Sequence, residues 1–342
     1  MIRVGIIGAA GYTAGELIRI LLNHPDAVLV AAESRSHAGQ PLHAAHPDLL
    51  GETDLRFTEA LDPAGTDVIF LCSGHGKSKE AFHGLPADYP GAVIDLSNDF
   101  RLATDAEDFV YGLPEAYKQK IISAKHIANP GCFATAIQLA LLPLAAADRL
   151  AEVHVTAITG STGAGQTPTP LTHFSNRADN LSVYKAFTHQ HLGEIRQTLC
   201  DLAPSFGGEL NFVPVRGDFT RGIFASVYLD CDWTEEEAKA AYGAYYRDAP
   251  FVVVTDLDPD LKMVVNTNKC VLQVRKHGRK LHIISVIDNL LKGASGQAVQ
   301  NMNLVFGLPD FGPLLLQGRL ELRELLTVPR ARRTSGCCSG RY

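Results

Sequence analysis

The chain has 342 residues, 46% hydrophobic and 20% charged, more than one compact core usually holds, so two domains are expected. Its 31 basic and 37 acidic side chains give a net charge of −6, with no basic block before the C-terminal tail, so nucleic acid is not an expected partner. No apolar run reaches membrane-spanning length, and the opening MIRVGIIGAAG starts a strand instead of a signal peptide.

The first third alternates strand and helix. Residues 3–7 form an apolar strand, 14–22 a helix stopped by Asn23-His24-Pro25, and 27–32, 67–72 and 92–95 further strands. Unbroken apolar strands between helices predict a parallel sheet covered on both faces, hence an α/β fold. The first strand runs into Gly8, Gly11, Tyr12, Thr13 and Gly15. Glycines at such a turn let backbone approach a pyrophosphate at the helix N-terminus. The spacing departs from G-x-G-x-x-G, so position carries the expectation. The second strand ends at Glu33 followed by Ser34, Arg35 and Ser36. An acid there suits the ribose of NAD, whereas Arg35 between two hydroxyls suits the 2′-phosphate, so NADP(H) is the expected cofactor. Residues 33–65 read as loop, with His43 and His46 expected at the surface.

Cys132 follows Asn129-Pro130-Gly131 and precedes an apolar stretch, which places its thiol at a helix N-terminus. The macrodipole and free N–H groups there predict a lowered pKa and a nucleophilic thiolate; the alternative is a small core residue. The seven cysteines form no C-x-x-C pair and the histidines no H-x-x-x-H. Neither metal nor a disulfide framework is therefore expected, and a reducing cytoplasm fits.

Beyond that helix the pattern turns to α+β. Strands are expected at 153–160, 209–215, 222–230 and 251–255, a helix at 234–247, and a hairpin joining 270–275 to 281–287. The run at Ser161, Gly163 and Gly165 reads as a phosphate or nicotinamide cradle, or equally as a flexible loop. His189 and His191, before a helix running to Leu202, offer a base for Cys132; Glu194 would orient a ring or cap the helix. Arg216 and Arg221 bracket a turn and suit a phosphate or carboxylate. Asn289, Lys292 and Gln297 lie where a strand meets the last helix, at 295–306, and suit a cofactor or an ordinary capped loop. The tail from Pro329, with Cys337 and Cys338, reads as disordered.

Taken together, GAAGYTAGEL from Gly8, DLSNDFR from Asp95, YGLPE from Tyr111, NPGCFAT from Asn129, GSTGAG from Gly160, HQHLGEI from His189, RG at Arg221 and DNLLKGASGQAVQNMN from Asp288 resemble the N-acetyl-gamma-glutamyl-phosphate reductases, NADPH-dependent enzymes of arginine biosynthesis. The resemblance implies a Rossmann domain at 1–132 plus 294–327 and a semialdehyde-dehydrogenase-like α+β domain at 133–293, with 328–342 outside both. It implies an acyl-phosphate substrate, inorganic phosphate as product, a homodimer or homotetramer, Cys132 as nucleophile, and His191 as acid/base with His189 second. Arg101, Asn129, Arg216 and Arg221 are the expected substrate contacts. Gly193 stands where the family usually has proline, which predicts a looser helix start beside His191. N-succinyl or aminoadipyl phosphates are the alternative substrates, and Arg177, Lys185 and Arg216 are the candidate readers of an extra carboxylate. A cofactor-free thiol hydrolase and a non-catalytic dinucleotide-binding regulator are the readings from other classes.

Overall fold

The computed structural model describes residues 1–309; the expected tail and residues 310–327 lie outside them. Six strands, β1 (Ile2–Ile7), β2 (Ala27–Glu33), β3 (Val68–Leu71), β4 (Ala92–Asp95), β5 (Val110–Tyr111) and β6 (His126–Ala128), make one parallel sheet. Their order is β2-β1-β3-β4-β6-β5. β3 and β4 are buried at every position, as strands covered on both faces must be. α1 (Tyr12–Leu22), α2 (Ser78–His83) and α3 (Pro114–Ile122) flank the sheet. From β1 the chain goes to β2 on one side and returns to β3 on the other. A crevice therefore opens beyond the carboxyl ends of β1 and β3. The loop-like stretch after β2 is a series of short 3₁₀ turns. It corrects one expectation: His46 is buried, with Nε2 2.8 Å from Ala9 O, beneath the turn that leaves β1.

α4 (Cys132–Ala146) is buried from Phe133 to Ala145, because its sequence is apolar on every side. Its side chains join a core shared with the second sheet. That sheet contains β7 (Val153–Thr159), β8 (Ser182–Val183), β9 (Leu210–Arg216), β10 (Ile223–Asp230), β11 (Val252–Val254), β12 (Cys270–His277) and β13 (Lys280–Ile287). The order is β11-β12-β13-β10-β7-β9-β8. The hairpin ladder runs out to His277 opposite Lys280, so both strands are longer than the sequence predicted. The intervening helices are α5 (Phe174–Arg177), α6 (His191–Leu202) and α7 (Glu235–Tyr245). Thr234 and Glu237 close a reciprocal capping box at the start of α7.

After β13 a π-helical turn, Leu291–Ser295, leads into α8 (Gly296–Val305). α8 returns to the first sheet. Asn303 Oδ1 lies 2.9 Å from His24 Nε2, and Ser295 Oγ donates to Thr13 O at 2.6 Å. This clasp brings the π turn, the start of α1 and the start of α4 into one neighbourhood.

Candidate active site

The dinucleotide crevice begins at Gly8. Its φ is +81°, and an added Cβ would sit 2.7 Å from the backbone of Cys72 and Ser73. Only glycine fits both demands. Gly11 caps α1 with no side-chain hydrogen bond and no acidic residue in the first turn, and nothing lies within 4 Å of its added-Cβ position. The helix start is thus bare and electropositive, as a pyrophosphate requires. Tyr12 is partly exposed there, Thr13 is pinned through its carbonyl to Ser295, and Gly15 packs on His46. At the end of β2, Glu33 Oε2 accepts the Leu61 N–H at 3.2 Å, so it is engaged inside the domain. Arg35 is exposed between Ser34 and Ser36, whose hydroxyls lie 3.3 Å apart. That donor set fits a 2′-phosphate.

Cys132 is the first residue of α4 and Gly131 is its N-cap, again without a side-chain cap. The N–H groups at the helix start therefore face the thiol. The expected depression of the thiol pKa is corrected by the structure: burial pushes Cys132 up to about 11, against the pull of Arg101 and the Phe133 N–H. Arg101 cannot do more, because its charge is paired with Glu194 at 3.1 Å. The resting site thus holds a neutral thiol. Gly293 of the π turn backs it so closely that an added Cβ would lie 2.8 Å from Cys132 Cβ.

His191 opens α6 despite Gly193. Its ring lies directly against Gly131, where an added Cβ would overlap Nε2. Nδ1 is buried without a partner, and Nε2 is 3.9 Å from Glu194 Oε1. Burial, then the charge of Arg101, hold its pKa well below the ordinary imidazole value, so the ring is neutral and able to accept a proton. His189 stacks edge-on to it at 4.6 Å, and its Nδ1 accepts the His191 N–H at 3.2 Å. Burial, with Lys185 and Arg216 nearby, takes His189 down to about 4. His189 orients the start of α6, whereas His191 touches the nucleophile's turn.

Glu194 organises both halves. Its carboxylate accepts from Arg101 Nη1 at 3.1 Å, Tyr111 OH at 2.9 Å and Gly131 N–H at 2.9 Å. Its own carbonyl accepts from Gln138 Nε2 at 3.0 Å. One buried carboxylate therefore fixes the turn before Cys132 and the helix that carries His191. Gln138 has no local sequence signal, and Tyr111 stands out only as the first residue of the YGLPE run. His75 was also missed: its Nδ1 accepts the Asn98 N–H at 3.1 Å, and burial and then Arg101 lower its pKa.

Other expected site residues have partners within the protein. Lys292 is fully buried, its Nζ 2.7 Å from Glu115 and 2.9 Å from Gln300. Gln297 donates to Thr135 at 3.1 Å within the core. Asn289 accepts the Gly222 N–H at 2.7 Å and donates to Thr162 at 3.0 Å, fastening the Ser161–Ala164 turn that carries Ser161 and Gly163 and ends at Gly165. Asn129 donates to Ala294 O and accepts from Asn301. Arg221 bridges Glu16 of α1 and Asp288, at 2.8 and 3.1 Å, linking the two layers. Arg101 acts on Glu194. Arg216 remains available: it stacks over Tyr184 at 4.6 Å and makes one long contact, 3.4 Å, to Gly160 O.

Two sequence families match the chain: "Semialdehyde dehydrogenase, NAD binding domain" over residues 3–124 and "Semialdehyde dehydrogenase, dimerisation domain" over 132–289. An N-acetyl-gamma-glutamyl-phosphate reductase of Parabacteroides distasonis is 55% identical over 91% of this chain and 97% of its own. Its namesake in Bacteroides thetaiotaomicron is 54% identical with the same coverage. Among solved structures, aspartate semialdehyde dehydrogenase II of Vibrio cholerae, complexed with ASA, superposes with a TM-score of 0.69 at 18% identity, over 90% of this chain and 98% of the other. Aspartate semialdehyde dehydrogenase of Candida albicans with NADP does so with a TM-score of 0.66 at 15% identity, over 90% and 98%. These two likenesses concern the fold.

Proposed function

Since the chain belongs to the N-acetyl-gamma-glutamyl-phosphate reductase family, we propose that it reduces N-acetyl-gamma-glutamyl phosphate to the semialdehyde and inorganic phosphate through a thioester on Cys132. The observation that carries this reading is the neutral thiol at the bare start of α4 with the neutral His191 ring against the preceding glycine. Sγ attacks the γ-carbonyl carbon while His191 takes the thiol proton, so charge forms only as the C–S bond forms. Glu194, 3.9 Å from Nε2, stabilises the imidazolium. The N–H groups at the start of α4 receive the oxyanion. The C–O bond to phosphate breaks, and His191 hands its proton to the leaving phosphate. The Gly8–Gly15 turn and Ser34, Arg35 and Ser36 would hold NADPH, whose chemistry would be the supply of hydride for the thioester carbon. Cys132 then departs as thiolate when the C–S bond breaks, and His191 passes it a proton drawn from solvent.

The test is phosphate-dependent reduction of NADP⁺ with N-acetylglutamate semialdehyde; no turnover, or turnover independent of phosphate, contradicts the reading. In the same assay Arg35→Ala is expected to raise KM for NADP⁺ about tenfold or more while leaving KM for NAD⁺ nearly unchanged, from the loss of one charge-assisted phosphate contact. Equal effects on both would remove Arg35 from the 2′-phosphate site.

A homodimer, or a tetramer built from such dimers, is the assembly we propose. The face of the second sheet away from α4 presents Ile158, Phe224, Tyr228 and Ile284, partly exposed around a small cluster of Val264, Val271 and Val286. Such a face suits a second copy. Light scattering should return twice or four times the chain mass, and Phe224→Asp should shift it to the monomer. A monomeric wild type contradicts this assembly.

A further inference from the structure

Arg177 is buried, 6% exposed, with no acidic partner among the described residues. Nη1 donates to Ser182 Oγ at 3.1 Å, Nη2 donates to Asn180 O at 2.6 Å, and Nε is buried with no partner at all. A buried guanidinium in this state has two neutral acceptors but no opposite charge to offset its desolvation cost. Its position is informative. Ser182 lies directly opposite Arg216 in the β8–β9 ladder, so their side chains share a face. On that face Arg216 stacks over Tyr184 at 4.6 Å, Tyr184 meets His189 at 5.7 Å, and His189 meets His191 at 4.6 Å. A strip with two arginines, neither paired with a carboxylate among the described residues, thus leads away from the His191 ring, which lies against Gly131. Asp218, the acid nearby, is engaged by the Asp179 N–H at 2.7 Å.

We propose that Arg177, with Arg216, forms a second anion subsite that takes the terminal carboxylate of an N-acyl chain, so that N-acyl-gamma-glutamyl phosphates with a dicarboxylic acyl group, such as N-succinyl, are substrates of the Cys132 site. The substrate class rests on the acyl-phosphate reading above, whereas the subsite is tested independently of turnover. One acetyl group presents no charge to Arg177; a succinyl group supplies the missing anion, and a charge-assisted pair of that kind is worth about 10- to 100-fold in affinity.

The experiment has two arms, each run on the wild type, Arg177→Gln and Arg177→Lys, with the oligomeric state measured alongside. Calorimetric titration with the stable N-succinylglutamate and N-acetylglutamate reads the subsite; phosphate-dependent NADP⁺ reduction with the two semialdehydes reads the reaction. The wild type should favour the succinyl compound at least about tenfold in both arms. Arg177→Gln should reduce that ratio about tenfold, and Arg177→Lys should keep part of it. A wild type that prefers the acetyl compound, or an Arg177→Gln that leaves the ratio unchanged while altering the oligomer, overturns the proposal. Succinyl-selective binding with neither aldehyde turned over would support the subsite and contradict the reductase reading instead.

Discussion

Cys132→Ser is expected to lower kcat by about 10³-fold or more while leaving the dissociation constant for NADPH within about threefold, since removing a nucleophile costs catalysis and little binding. The hydroxyl is a far weaker acid than the thiol, and an ester would replace the thioester as hydride acceptor. The proposed cofactor contacts are on the Gly8 turn and after β2, not on Cys132, so fluorescence titration should see little change. His191→Asn should cost about 10²- to 10⁴-fold, the range for a lost general acid–base. It should do so across pH 6 to 9, because His191 lies well below the ordinary value and His189 at about 4, so neither ring changes charge in that window. Near-normal turnover in Cys132→Ser contradicts the scheme, and full activity in His191→Asn moves the proton to another group.

Glu194→Gln is the second large effect, acting through stability and turnover together. The carboxylate is 2% exposed and holds Arg101, Tyr111 OH and the Gly131 N–H. Removing its charge leaves the Arg101 guanidinium buried and unpaired, a loss of about 3–5 kcal/mol for a broken buried pair. Thermal unfolding should move down accordingly, and kcat should fall about 100-fold or more as the turn before Cys132 and the start of α6 lose their common anchor. The double variant Arg101→Met with Glu194→Gln separates the two. It removes both charges and should recover much of the stability, yet the lost positioning of His191 should keep kcat low. Recovery of both together would reduce Glu194 to a structural role.

The parts of this molecule that were legible in sequence are those written locally. The Gly8 turn, the apolar strands beside it, the bare start of α4 and the pair His189 and His191 each depend on neighbours within a few residues. The unreadable parts depend on partners far along the chain. Lys292 looks like a phosphate ligand until Glu115, 177 positions away, is placed against it at 2.7 Å. Arg221 reads in the sequence as a substrate clamp alone, with no sign of Glu16, 205 positions away, which accepts from its Nη1. Glu194 shows only an acidic residue in a first helical turn, where dipole complementarity alone would explain it. Its role emerges when β5, α4 and the Arg101 loop converge on it. The thiol's high pKa was equally hidden, because burial outweighed the helix start and pairing with Glu194 absorbed the charge of Arg101.

The thioester itself offers the most direct measurement. Mixing the enzyme with N-acetylglutamate semialdehyde and NADP⁺ in phosphate-free buffer should give a burst of one NADPH per active site and then stop. Peptide mass spectrometry of the quenched mixture should find the acyl adduct on Cys132, and added phosphate should release it and restart turnover. No burst, or an adduct on any other residue, would contradict the assignment of Cys132 as the nucleophile.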